Sequence, residues 1–123
     1  MISSDRIYAV VAETVQPAGK SESVVQPVGR QAAQACHAVS KLRHYMAGAG
    51  CAEFKPITTV VLRARDCAEL IHVSNLIEKR KIFYALFWDT NEQVYGSVEI
   101  LTAFACLTTK KRVEGILDYL PLF

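Results

Sequence analysis

Val28-Gly29-Arg30-Gln31-Ala32-Ala33-Gln34-Ala35-Cys36-His37-Ala38-Val39-Ser40-Lys41-Leu42-Arg43-His44-Tyr45-Met46 is the stretch on which the fold turns. Apolar residues fall at 28, 32, 35, 39, 42 and 46, in alternating steps of four and three. That spacing is one face of an α-helix. Four alanines, at 32, 33, 35 and 38, keep much of its surface small, so its backbone can approach a sheet closely. Gly48 and Gly50 are expected to end it.

Runs rich in β-branched and aromatic residues surround this helix and read as strands: 7–15 before it, and 57–62, 82–88 and 97–106 after it. Pro17, Gly19, Ser21, Ser23 and Pro27 punctuate a loop of functional length between the first strand and the helix. Asp66, with Glu69 three residues on, opens a second helix in a capping-box pattern. Its apolar row is Cys67, Leu70, Ile71, Val73 and Ile77, and Lys79, Arg80 and Lys81 close it at the negative end of its dipole. Thr108 or Thr109 caps a short last helix to about Asp118, and Leu-Pro-Leu-Phe docks the C-terminus. The resulting order, β-α-β-α-β-β-α, implies helix crossovers between parallel strands and an antiparallel return through 89–96. The expected fold class is α/β: one domain over 1–123, a mixed four-stranded sheet with helices packed on its faces.

Composition narrows the function classes. Half the chain (51%) is apolar, enough for a sizeable core and incompatible with global disorder. Fourteen basic against twelve acidic side chains leave a net charge of +2, too small to imply a nucleic-acid partner unless the charge is clustered. The longest apolar run, 100–107, is far short of the roughly 20 residues of a membrane helix. The first residues, Met-Ile-Ser-Ser-Asp-Arg, lack a signal-peptide layout, so a cytoplasmic protein without a membrane partner is expected. Cys36, Cys51, Cys67 and Cys106 form no CxxC pair and read as reduced thiols, Cys36 as a packed one.

The first helix carries a second row at the same spacing: Arg30, Gln34, His37, Lys41 and His44. It is either a solvated outer face or a surface for phosphates, with Arg30 near the anion-favouring helix N-terminus. Asp89, just past an aromatic strand, is either ordinary turn chemistry or a ligand-site carboxylate. Cys36 and His37 are adjacent on a helix, point about 100° apart and do not converge on an ion. No carboxylate or CxxC spacing joins them, so no metal is expected. Arg63 with Arg65, 79–81 and 110–112 are basic clusters that helix dipoles and solvation explain, unless the fold brings several together to track phosphates. Gly-rich phosphate loops are absent, which argues against a nucleotide-dependent enzyme.

Gly29-Arg30-Gln31-Ala32-Ala33-Gln34-Ala35-Cys36-His37-Ala38 resembles the Gly-Lys-x-Ala-Ala-Gln-x-x-His-Ala helix start of the archaeal and eukaryotic (type 2) peptidyl-tRNA hydrolases. Phe87-Trp88-Asp89 is similar to that family's strand ending in an Asp-Ala-Gly turn, and Gly96-Ser97 to its Gly-Ser-x-Thr-Val-Leu element. The resemblance runs in order from about Ile7 to the last helix. It implies a compact, often dimeric α/β domain, free of cofactors, that hydrolyses the ester joining a peptide to the 3′ end of tRNA. It also implies a catalytic neighbourhood of Arg30, His37, Asp89 and Thr90, with Gly29, Gln34 and Lys41 binding substrate.

Three positions depart from the family pattern. Arg30 stands for the helix-start lysine, Val28 for the lysine before it, and Asp89-Thr90-Asn91-Glu92-Gln93 for the longer Asp-Ala-Gly-Arg-Thr-Gln loop, which leaves Thr90 as the nearest hydroxyl. Arginine stays protonated, so Arg30 can clamp a phosphate or an oxyanion but cannot act as a base. Asp89 is then the residue to orient or activate water. The rival readings are a catalytically silent member that binds RNA or a protein partner, and a hydrolase of another small ester or amide.

Overall fold

The computed structural model describes residues 5–17, 19–49, 57–91, 95–96 and 98–123. Gly50, Cys51, Glu92, Gln93 and Ser97 therefore lie outside the described residues. In chain order the elements are β1 (Asp5–Ala12), β2 (Thr14–Val15), β3 (Val24–Val25), α1 (Val28–Gly48), β4 (Thr59–Ala64), α2 (Cys67–Lys79), β5 (Phe83–Asp89), β6 (Ile100–Thr109) and a 3₁₀ turn at Lys111–Val113. Four strands make one sheet in the order β4-β1-β6-β5. β1 pairs parallel with β4, and β6 lies antiparallel between β1 and β5. The expected single α/β domain, with a mixed four-stranded sheet, is the architecture found. α2 carries the chain from one edge of the sheet to the other, so β4 and β5 run the same way without touching.

The two helices cover opposite faces, because side chains alternate along a strand. Ile7, Ala9 and Val11 of β1 join Ala85, Ala103 and Ala105 beneath α1, where they meet Ala35, Ala38, Leu42 and Met46. Tyr8, Val10 and Ala12 turn the other way and pack with Phe104, Cys106, Leu70, Val73 and Ile77 under α2. Alanine on alanine brings α1 close to the sheet, as its composition suggests. Burial on both faces also explains why β1 and β6 read as nearly unbroken apolar runs.

Four local expectations change. The strand expected at 7–15 bends at Glu13, where the Glu13 and Thr14 N–H groups donate to Ala64 and Arg65 carbonyls at 2.8 and 3.1 Å. Beyond the bend, Thr14–Val15 pairs with Val24–Val25 inside the expected loop. The inward face of α1 is Gln31, Gln34, Ala35, Ala38, Leu42 and Met46, rotated from the apolar row, so that Val28 is 70% exposed and Gln34 is 1% exposed. Cys36 is consequently exposed, not packed, while Cys67 is half-buried and Cys106 buried, all three as free thiols. The last helix is a 3₁₀ turn followed by turns, because Gly115 takes a left-handed φ of 80° and its N–H donates to Asp118. Val113, Ile116, Leu117 and Leu120 are buried all the same.

The chain end pairs with the exposed edge of β4: Arg63 N–H donates to Pro121 and Phe123 N–H to Val61, each at 2.9 Å. α2 is capped as its sequence indicates, with Asp66 Oδ1 accepting the Glu69 N–H at 2.9 Å, although Glu69 reaches back to the Arg65 N–H and not to Asp66. Asp66→Ala should cost about 1 kcal/mol of stability, read as a lower urea midpoint at an unchanged m-value.

Candidate active site

Asp89 ends β5 at the same end of the sheet as Ala12 and Ala64, the C-terminal ends of the three strands that share a direction. The α1 N-terminus starts at that end too, since Gln34 donates to Asp89 and Gln31 to the carbonyl of Gln26, which itself bonds Ala12. A register shift between Phe87 and Trp88 lies one residue before Asp89, and bulges of this kind re-aim the side chains that follow.

Gln34 is the centre of the corner. Buried on the inward face of α1, it exchanges amide hydrogen bonds with Gln26, donating at 2.8 Å and accepting at 2.9 Å. The remaining Gln34 N–H is shared between Tyr95 Oη at 2.7 Å and Asp89 Oδ2 at 3.0 Å. The Tyr95 hydroxyl donates to Gln26 Oε1 at 2.7 Å, with Asp89 Oδ2 3.3 Å away. Gln26 is tied in turn to the end of β1, donating to the Ala12 carbonyl at 2.8 Å, while Gln31 donates to the Gln26 carbonyl at 2.7 Å. The network holds Oδ2 of Asp89 and leaves Oδ1 bonded to no described group. Such a carboxylate keeps one oxygen for a ligand or a water.

Tyr95 is fully buried, and its phenol is pushed up to about 12, first by burial and then by the neighbouring Asp89 charge. Arg30 lies close enough to oppose that shift. The phenol therefore stays protonated and serves as a hydrogen-bond donor. Arg30 is half-buried, and its guanidinium has no hydrogen bond or ion pair among the described residues. It stands in the first turn of a helix with no acidic residue there and with Pro27 at the N-cap, which makes no side-chain cap bond. A cation at the positive end of a helix is unfavourable by itself, and the pairing suits an anion. A Cβ on Gly29 would meet nothing within 4 Å, so the approach to this turn is open.

The expected site residues fall into two neighbouring groups. Gln34 and Asp89 come together, and Arg30 lies near enough to act electrostatically on Tyr95 beside them. His37 stands one turn further along α1 and stacks on Phe87, with ring centroids 5.1 Å apart and 24° between planes. Lys41 lines the same groove as His37. Thr90 is exposed and bonded to no described group. Gln26 is central without any functional sign in the sequence beyond a glutamine among apolar residues in Val24-Val25-Gln26-Pro27.

The basic clusters are also partly reunited. Arg80 donates to the Arg112 and Glu114 carbonyls at 2.7 and 3.1 Å, and Arg112 donates back to the Arg80 carbonyl at 2.8 Å. This joins 79–81 to 110–112 at the end of the sheet opposite Asp89. Among the described residues no group of three His, Cys, Asp or Glu could hold a metal ion, and no described helix is long and apolar enough to cross a membrane.

No protein-family model matches the chain, and no curated protein is significantly similar to it in sequence. Among solved structures, it is similar to a protein of unknown function from Agrobacterium tumefaciens. The two share 13% identity and a TM-score of 0.63 over 99% of each chain, a likeness of fold.

Proposed function

We propose that this chain is a cofactor-independent esterase related to the type 2 peptidyl-tRNA hydrolases, acting on the ester between a peptide and the tRNA 3′ end. The observation that carries the reading is the bond from Gln34, in the family-like helix start, to Asp89, in the family-like strand end. A specific helix-start resemblance and a weaker strand-end one, 55 residues apart, thereby meet in one corner. The two basic triplets joined at the far end add the clustered charge that the small net charge withholds.

In this reading Oδ1 of Asp89 orients a water and takes its proton as the water oxygen attacks the ester carbonyl carbon. The oxyanion that forms faces Arg30 and the open N–H groups of the first α1 turn. Collapse breaks the bond to the ribose oxygen, which takes the proton back from Asp89. Free peptide and a tRNA with an intact 3′ hydroxyl leave. Arg30 works only as a cation, so the change from lysine is tolerated in this scheme.

The test is release of an N-blocked amino acid from charged tRNA. Arg30→Ala should lower turnover by about 10²-fold, the usual loss for one oxyanion-stabilising group. Wild type that binds tRNA with a steep salt dependence yet releases nothing above the uncatalysed rate would make the chain a silent RNA-binding module. Absence of salt-dependent binding would remove the tRNA reading altogether.

A further inference from the structure

Beside the Gln34–Asp89 corner runs an open groove of about 610 Å³. Successive turns of α1 supply His37, Lys41 and His44 to its lining, β5 supplies Phe87 and Trp88, and Glu99 completes it. We infer that this groove is a nucleobase subsite, in which the terminal base of an RNA 3′ end stacks on Trp88.

Strand neighbours normally face opposite ways, yet Phe87 and Trp88 both line the groove, and the register shift between them accounts for it. Trp88 is left 45% exposed in that lining. Phe87 is already stacked on His37, so the groove offers one open indole beside a fixed aromatic pair. Lys41 and His44 suit the phosphate that follows a base, and Glu99 can accept a hydrogen bond from a ribose hydroxyl or an exocyclic amine. An apolar peptide side chain would gain little from three basic groups and a carboxylate.

Position agrees with chemistry. Cα atoms of consecutive residues are about 3.8 Å apart, so Trp88 sits next to Asp89. His37 likewise follows Gln34 by one helical turn. The ester to be cleaved is carried by the ribose of the terminal nucleoside, so its base must lie one ribose away from the attacking water. This inference takes the identity of the RNA from the proposed function, and takes the stacking chemistry from the groove.

Trp88 is the chain's single tryptophan, so its fluorescence reports the groove directly. Adenosine 5′-monophosphate should quench it saturably, and ribose 5-phosphate should not. Lys41→Glu, on a partly exposed position that leaves the indole in place, should weaken the quench about tenfold in apparent affinity. Trp88→Ala should raise KM for charged tRNA about tenfold and leave kcat nearly unchanged. Absence of quenching, or equal quenching by both probes, in a protein that hydrolyses charged tRNA would overturn the subsite and leave the hydrolase reading standing. Base-specific quenching in a protein without hydrolysis would uphold the subsite and remove the hydrolase.

Discussion

Asp89→Asn is expected to lose 10²- to 10⁴-fold in kcat for hydrolysis of charged tRNA, roughly the contribution of one positioned acid-base group, with the fold unchanged. The amide keeps an oxygen able to accept from Gln34 at the place where Oδ2 now sits 3.0 Å away. What it loses is the basicity of the oxygen that no described group occupies. Circular dichroism and the melting temperature should therefore match wild type while single-turnover release falls. Full activity in a folded Asp89→Asn protein would show that water is activated elsewhere and would remove Asp89 from the scheme. Activity and melting temperature falling together would instead make Asp89 a structural member of the network.

Gln34→Leu should have the largest effect on stability, about 3 kcal/mol, read from urea unfolding. The side chain is 1% exposed, and its loss strands a Gln26 N–H and removes the donor to Tyr95, both buried. Each stranded buried polar group costs about 1–3 kcal/mol, while Asp89 is partly exposed and can turn to water. Against a typical domain stability of about 5–15 kcal/mol the variant should still fold. Leucine nearly matches glutamine in volume, so a loss this large would come from hydrogen bonding and not from a cavity.

The same network has an alkaline signature. Tyr95 is held at about 12 against an ordinary value of 10.0, so the unfolded chain loses its proton first as pH rises. Its contribution is fully present below pH 10 and is lost as pH climbs toward 12. Tyr95→Phe should flatten that part of the stability profile. Some slope will remain, because burial pushes the Cys106 thiol from 9.0 to about 12 as well.

Much of the architecture follows from local pattern. The alternating three-and-four spacing in 28–46, the Asp66 cap and the β-branched runs each specify an element whose period or cap chemistry is satisfied within a few residues. The alanines of α1, together with those at 85, 103 and 105, state in advance how near the helix can come to the sheet. Where the apolar pattern failed, a competing local conformation or a distant partner had won. Val113, Ile116, Leu117 and Leu120 are spaced like a helix, but the left-handed Gly115 lets turns bury them instead. The apolar row of α1 gave way to a rotated face because Gln34, polar in isolation, finds partners in Gln26, Tyr95 and Asp89.

By itself, the sequence determined the fold class, the helix that sets it, and the candidacy of Arg30, Gln34, His37 and Asp89. Tertiary structure alone decided which of them meet: Gln34 with Asp89 in a part-buried corner, His37 and Lys41 in the groove beside it, and Gln26 and Tyr95 recruited from the segments before α1 and after β5. The physical reason is that a helical row depends only on a period along the chain. A hydrogen-bond network depends on distances between residues as far apart as 26 and 95, and those exist only once the sheet has closed on α1.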